Sequence, residues 1–400
     1  MPFISEKIRR IKLSPSVAAR AIIAELREQG RRVIDLTIGE PDFSTPQHIR
    51  DAAKAAIDRG ETKYPAAQGT MPLRKAARVR LLLDTGVDYP VGQIIVSTGA
   101  KQVLFNGLAA TLNDGDEVII PAPFWVSYPD MVLVNGGVPV PVSTTPATGY
   151  KLTPEALEAA ITPRTKWLMM NAPSNPTGAV YGQQEWEALA AVLRRHPHVW
   201  LMTDDIYARL GFLDTPAVHP LQVAPDLAPR TLVVNGVSKA YAMTGWRIGY
   251  GAGPEELIKA MAILQSQSTS GASSISQAAA LEALSGPQEC VLEFAKIFRA
   301  RRDVAVAELS RTPGLNVVVP EGAFYVFPDC NALLGKKTPD GKVIASDTDL
   351  TNYFLRDAGV AVIDGHAYGA PGTFRLSFAA SEDDIRAGCA GIRAACEKLS

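Results

Sequence analysis

Seven short, unbroken apolar runs, most of them separated by amphipathic segments, constrain the fold of this chain more than any other feature. The runs span residues 94–97, 117–120, 139–142, 166–170, 199–203, 231–234 and 248–251. Between them, stretches such as 101–112 and 183–195 repeat apolar residues at helical spacing. A strand with no polar face must be buried on both sides, and helices are what cover a sheet twice over. The pattern predicts an α/β fold with a mostly parallel, seven-stranded sheet flanked by helices.

At 400 residues the chain is too long for one hydrophobic core, and its 47% apolar content supplies two. A large domain is expected over 46–290. After it the character changes: a helix over 289–309, strand-like runs at 315–319, 323–327, 360–363 and 373–378, and a closing helix over 382–399. A helix over 15–29, with Ser14 as N-cap, Pro15 in the first turn and Gly30 as its stop, precedes the large domain. The expectation is a smaller, discontinuous α+β domain built from 1–45 and 291–400. The polar stretch 265–276 (QSQSTSGASSIS) reads as a loop.

A formal net charge of -1, with no cluster of Lys and Arg, offers no electrostatic grip on nucleic acid or an anionic membrane. The four cysteines show no C-x-x-C spacing and no clustering with the five histidines, which argues against zinc and against a disulfide scaffold; no metal is expected. No apolar stretch reaches the roughly 18 residues a membrane span needs, and the N-terminus has no leader-like core, so a cytoplasmic protein with small-molecule partners is expected.

In open α/β sheets ligands sit where strands end, and polar residues follow several of the runs. Thr98-Gly99-Ala100-Lys101 opens a helix whose free N–H groups suit a phosphate. Asn171-Ala172-Pro173-Ser174-Asn175-Pro176 presents the amide of Asn175 on a proline-stiffened turn, and Asp204-Asp205-Ile206-Tyr207 puts a carboxylate at a strand tip and a phenol three positions on. Ser238-Lys239 then precedes Arg247. Each has a bland counterpart: a solvated lysine, a rigid turn, a helix cap. Together they suit an aldehyde cofactor of the pyridoxal type: Lys239 forms a Schiff base, Arg247 grips the phosphate, Asp204 keeps a pyridine nitrogen protonated, and Tyr207 and Asn175 reach the phenolic oxygen. Trp125 is placed to stack on a ring.

The set Gly39-Glu40-Pro41-Asp42-Phe43, Lys63-Tyr64, Ser174-Asn175-Pro176-Thr177-Gly178, Asp204-x-x-Tyr207, Ser238-Lys239 to Arg247 and Phe374-Arg375-Leu376-Ser377-Phe378 resembles the class I/II aminotransferases of pyridoxal-phosphate (PLP) fold type I. The bacterial aspartate aminotransferase branch is the nearest. The likeness implies pyridoxal 5'-phosphate as cofactor, bound to Lys239, with Gly99, Ala100, Lys101 and Arg247 around its phosphate and Trp125, Asn175, Asp204 and Tyr207 around its ring. It implies catalytic roles for Lys239, Asp204 and Tyr207. Arg375 would clamp the substrate α-carboxylate, helped by Gly39, Trp125 and Asn175. Tyr64 would reach the phosphate of the partner subunit, making the active unit a homodimer with shared active sites. Cis bonds before Pro123 and Pro176 are implied as well.

By the same resemblance the reaction is a ping-pong transfer of an amino group from an L-amino acid, with aspartate leading, to a 2-oxo acid, with 2-oxoglutarate leading. Aromatic, alanine and prephenate aminotransferases, and a fold-type-I carbon–sulfur lyase, are the alternatives. Where some relatives carry a cation on the helix after the phosphate turn, this chain reads Phe105-Asn106-Gly107-Leu108, which leaves Ser16 and Lys101 as distal contacts. No G-x-G-x-x-G follows a candidate first strand, against a nicotinamide-binding fold.

Overall fold

The structure is a computed structural model that describes residues 3–11, 15–215 and 217–400, with the backbone alone for 15–21. The first long helix is Pro15–Glu28, and Gly30 follows it at φ +77°, a left-handed position that only glycine adopts at no steric cost. Ser14 and the side chain of Ser16 lie outside the described residues. The short strand β1 (Ile34–Asp35) comes next and pairs in parallel with a strand from the far end of the chain, Val360–Ala361.

The seven apolar runs all become strands of one sheet: β2 (Ile94–Thr98), β3 (Glu117–Ala122), β4 (Val138–Ser143), β5 (Thr165–Asn171), β6 (Trp200–Asp204), β7 (Thr231–Gly236) and β8 (Ile248–Ala252). Their order is β2-β8-β7-β6-β5-β3-β4, with β8 alone running against its neighbours. Pro139 and Pro141 fall on β4, at the edge, where a missing N–H costs no ladder bond. In β6 and β7 nearly every residue is buried, which is why these strands read as continuous apolar runs. Separate apolar clusters pack on the two faces of the sheet, one around Ile94, Val96 and Val233, the other around Ile95, Leu232 and Val234.

A third cluster joins Leu36 to Phe298, Phe324, Val360, Phe378 and Ile392, beneath the helices Glu289–Leu309 and Glu382–Cys396. Here the strands are short: β9 (Tyr325–Val326), β10 (Val360–Ala361), β11 (Ile363–Asp364) and β12 (Phe374–Ser377). The expected strand at 315–319 is absent: Asn316 makes one isolated bridge to Asp329 and the rest is irregular. The expected strand at 360–363 divides between β10, which joins β1, and β11, which joins β12 and β9. The polar stretch 265–276 is not a long loop either, because the helices Glu255–Ser268 and Ser274–Ser285 take most of it. Its Gln265 points inward, donating to Val96 O at 2.7 Å and accepting from Ser97 Oγ at 2.5 Å, so a polar residue there serves the interior.

Candidate active site

The tips of β5, β6 and β7 and the turns after them open into a cavity of about 340 Å³. Register brings Asn171 and Asp204 side by side at these tips. Of the residues singled out from sequence, Gly39, Ala100, Lys101, Trp125, Asn175, Asp204, Tyr207, Lys239, Arg247 and Arg375 all line this one space. Tyr64 does not, and its side chain is 93% exposed.

At one end of the cavity the helix Ala100–Thr111 begins after Gly99, whose φ is +83°. A Cβ on Gly99 would collide with the Arg247 guanidinium, and one on Gly249 would collide with the backbone of Ala100. Two glycines therefore let the arginine and the strand β8 close against the helix start. Arg247 itself holds a left-handed backbone, φ +55° and ψ +53°, and gives Nη1 to Thr244 O at 2.9 Å. Such a conformation is unfavourable for a residue with a side chain and is found where function holds it. The first-turn N–H groups of Ala100 and Lys101 lack intrahelical acceptors. With Arg247 beside them they make a set of donors suited to a dianionic phosphate.

In the middle of the cavity, Lys239 Nζ donates to Gly39 O at 2.5 Å. Burial pushes its ammonium down to about 8, with Arg375 and Arg247 pushing the same way and Glu40 and Asp204 pulling back. Asp204, 3% exposed, accepts from Tyr128 Oη at 2.7 Å. Burial lifts its carboxyl to about 6, against the pull of that hydrogen bond. Tyr128 also meets Trp125 edge-on, centroids 5.4 Å apart, and Lys101 Nζ lies 4.6 Å over the Trp125 ring and 3.1 Å from Ser127 Oγ. Burial, helped by Arg247, lowers the Lys101 ammonium too.

At the far end stands Arg375, 4% exposed on β12. Its Nη1 donates to Asn175 Oδ1 at 3.0 Å and its Nη2 to Thr37 O at 2.6 Å, while Nε is buried with no hydrogen-bond partner. Its guanidinium lies between the rings of Tyr325 and Tyr368, at 4.4 and 5.2 Å. A buried guanidinium with a donor unused asks for a carboxylate. Asn175 is held by its N–H to Asn171 Oδ1 at 2.8 Å, and the bonds before Pro123 and Pro176 are cis, as is the one before Pro173. Sequence reasoning gave no role to Tyr128, Tyr325, Tyr368 or Glu40, all of which line the cavity. A lysine whose pKa is lowered, a buried carboxylate, a set of donors suited to a phosphate and a buried guanidinium with an unused donor in one space fit pyridoxal phosphate together with an amino acid.

The comparisons agree with this geometry. A family model described as aminotransferase class I and II matches residues 31–392. The chain is 52% identical over 400 residues to the aspartate/prephenate aminotransferase of Cereibacter sphaeroides, covering 100% of both. It is 51% identical to an aspartate aminotransferase of Rhizobium meliloti, covering 99% of this chain and 97% of that one. Among solved structures it matches the crystal structure of the aspartate aminotransferase from Rhizobium meliloti with a TM-score of 0.97 at 50% identity over 100% of both chains. It matches the Thermus thermophilus aspartate aminotransferase with maleate at 0.91 and 42%, covering 99% of this chain and 100% of that one. The sheet and its covering helices are those of PLP fold type I. With likeness running the whole length of chain and relatives alike, the protein belongs to the class I and II aminotransferases and is a pyridoxal-phosphate-dependent transaminase.

Proposed function

We propose that the enzyme moves the amino group of L-aspartate to 2-oxoglutarate, one substrate after the other in the same cavity. The observation that carries this reading is the charge of the cavity wall: Lys101, Lys239, Arg247 and Arg375 against Asp204 and Glu40. The cofactor phosphate would take the cradle at Arg247 and an α-carboxylate the clamp at Arg375, with Lys239 as the reacting amine. Lys101 is the cation left over, which favours a substrate with a second carboxylate. A second acceptor, a prephenate-like 2-oxo acid, is favoured by the relatives named aspartate/prephenate aminotransferase.

Pyridoxal phosphate, once bound, supplies an aldehyde that condenses with amines and a protonated ring that draws electrons from the carbon being deprotonated. The chain's own residues do the rest. Lys239 would hold the aldehyde, and its amine, which burial lowers to about 8, would carry the proton between the substrate Cα and the cofactor's C4' carbon. Asp204 would supply the anion that keeps the pyridine nitrogen protonated, and Tyr207 and Asn175 would donate to the phenolic oxygen. Trp125 covers the ring. Arg375, with Asn175 and the Gly39 N–H, would hold the α-carboxylate in the cavity that Lys239 also lines.

We read Tyr64 as a partner-subunit ligand of the phosphate, its 93% exposure suiting a side chain that waits for a second copy. The active unit is then a homodimer. We divide the chain into a large domain over 46–290 and a small one from 1–45 plus 291–400, in keeping with the β1–β10 pairing and the cluster around Leu36. Four free cysteines suit a reducing cytoplasm, and no helix among the described residues is long and apolar enough to cross a membrane. The test is a panel: mix the holoenzyme with single amino acids and rank the rates at which the cofactor is aminated. Aspartate and glutamate leading supports the reading. Ammonia and pyruvate released in place of aminated cofactor would mean elimination instead.

A further inference from the structure

Tyr325 was not anticipated, yet it touches both ends of the chemistry. It is fully buried on β9 and lines the cavity. Its hydroxyl lies 2.9 Å from Tyr207 Oη, and its ring lies under Arg375, 4.4 Å from Cζ. On the Gly39 side it is closely packed: a Cβ on Gly39 would stand 3.1 Å from its oxygen. The groups that face this pair of phenols are Arg375, Tyr368 and Asp204, with Lys239, Glu40 and Arg247 beyond.

Two hydroxyls at this distance share one hydrogen bond, so one must accept. When Tyr207 points its own proton at the cofactor's phenolic oxygen, as the proposed function has it, its oxygen can only accept from Tyr325. A hydroxyl that accepts a bond becomes a stronger donor, so Tyr325 strengthens the grip of Tyr207. The positive charge of Arg375 over the Tyr325 ring makes that phenol a better donor still. A carboxylate docked on Arg375 cancels the charge. We propose that Tyr325 is a positioning residue through which occupancy of the Arg375 carboxylate clamp is transmitted to the hydroxyl of Tyr207. Asn175, which bonds Arg375 directly, is a parallel link, so the Tyr325 route accounts for part of the coupling.

The consequence is spectroscopic. Weaker donation leaves negative charge concentrated on the phenolic oxygen, and the nitrogen of Lys239 beside it then keeps its proton to higher pH. The experiment follows the visible absorbance of the holoenzyme against pH, with and without maleate, a dicarboxylate with no amino group to transfer. In the unaltered enzyme maleate is expected to raise the pH midpoint, and no rise overturns the proposal. Tyr325→Phe keeps the ring under Arg375 and removes only the hydroxyl. Its midpoint without maleate is expected to rise by roughly half a unit or more, and the rise on adding maleate to shrink by about half, with maleate affinity within about threefold. Adding Tyr325→Phe to Tyr207→Phe is expected to move the midpoint no further, because the relay is already cut. A 3-fluorotyrosine at 325, a stronger donor of nearly the same shape, should shift the baseline downward. A maleate response of full size in Tyr325→Phe overturns the proposal, as does an undiminished Tyr325→Phe effect in the Tyr207→Phe background. A wild-type holoenzyme with no pH-dependent visible band would instead sink the cofactor reading beneath it.

Discussion

On the cavity side of the sheet, Asp204 takes one short hydrogen bond, from Tyr128 at 2.7 Å, and a long one of 3.4 Å from the N–H of Ile206. One residue along, Asp205 accepts from Thr203 Oγ1 at 2.9 Å and from His219 Nε2 at 3.1 Å. The His219 ring is committed, since its Nδ1 accepts from Leu221 N–H and its proton must therefore sit on Nε2. Nearby, Arg80 closes on Asp84 through two bonds, and Arg209 on Tyr241 and Gln288. The charged groups around Asp205 are thus paired up, and among the described residues only the Tyr89 hydroxyl is buried near them without a partner, while the cavity keeps a carboxylate raised to about 6, an ammonium lowered to about 8 and a guanidinium with a free donor. Charged groups left short of partners mark where a ligand belongs, and charged groups that are fully partnered hold the fold.

The largest effect expected is at Lys239. Lys239→Ala should cost at least about 10⁴-fold in the rate of cofactor amination by amino acids, with circular dichroism and Tm retained. The adjacent carboxylates come next and test the contrast directly. Asp204→Asn should lower kcat by about 10²-fold or more while KM stays within a few-fold, because it weakens the electron sink. It should also stabilise the cofactor-free protein. A buried carboxyl raised to about 6 opposes folding when ionised, so relief of up to about 3 kcal/mol appears above pH 6 and fades below about pH 4. Asp205→Asn should do the reverse, lowering stability by about 1–3 kcal/mol in urea unfolding with kcat nearly intact. Equal kinetic damage from the two would break the comparison.

Arg375→Ala should lower kcat/KM for every amino acid by roughly 30-fold, about 2 kcal/mol of charge-assisted pairing. A loss confined to dicarboxylates would reassign it to the side chain. The pH profile of cofactor capture by the cofactor-free protein sharpens the picture further. Capture needs a free amine, so its rate should climb through a midpoint near 8, and affinity should drop as Asp204 protonates below about 6. Tyr128→Phe should move that acid limb upward by less than about one unit, the smallest effect here, since Tyr128 is the donor holding Asp204 down.

Much of this was legible in the sequence because its causes are local. The doubly buried strands announce themselves through composition, and Lys239, Asp204, Asn175 and Arg247 stand just beyond strand or turn boundaries that composition marks. Tyr128, Tyr325 and Tyr368 were not legible. Each resembles an ordinary core aromatic, and Tyr128 meets Asp204 only because the fold brings positions 76 residues apart together. The C-terminal strands were harder for the same reason: residues 315–319 are apolar because Leu315 and Val317 pack on the third cluster, with no strand partner required. Gln265 is the converse case, polar in composition and structural in use.

The lone Nε of Arg375 also says something about how the enzyme behaves in an ordinary buffer. A desolvated cation with a vacant donor does not wait selectively for its substrate. Formate, acetate and chloride at high concentration will lodge there and compete, so the apparent KM for amino acids should climb in proportion to their concentration, whichever amino acid is being assayed.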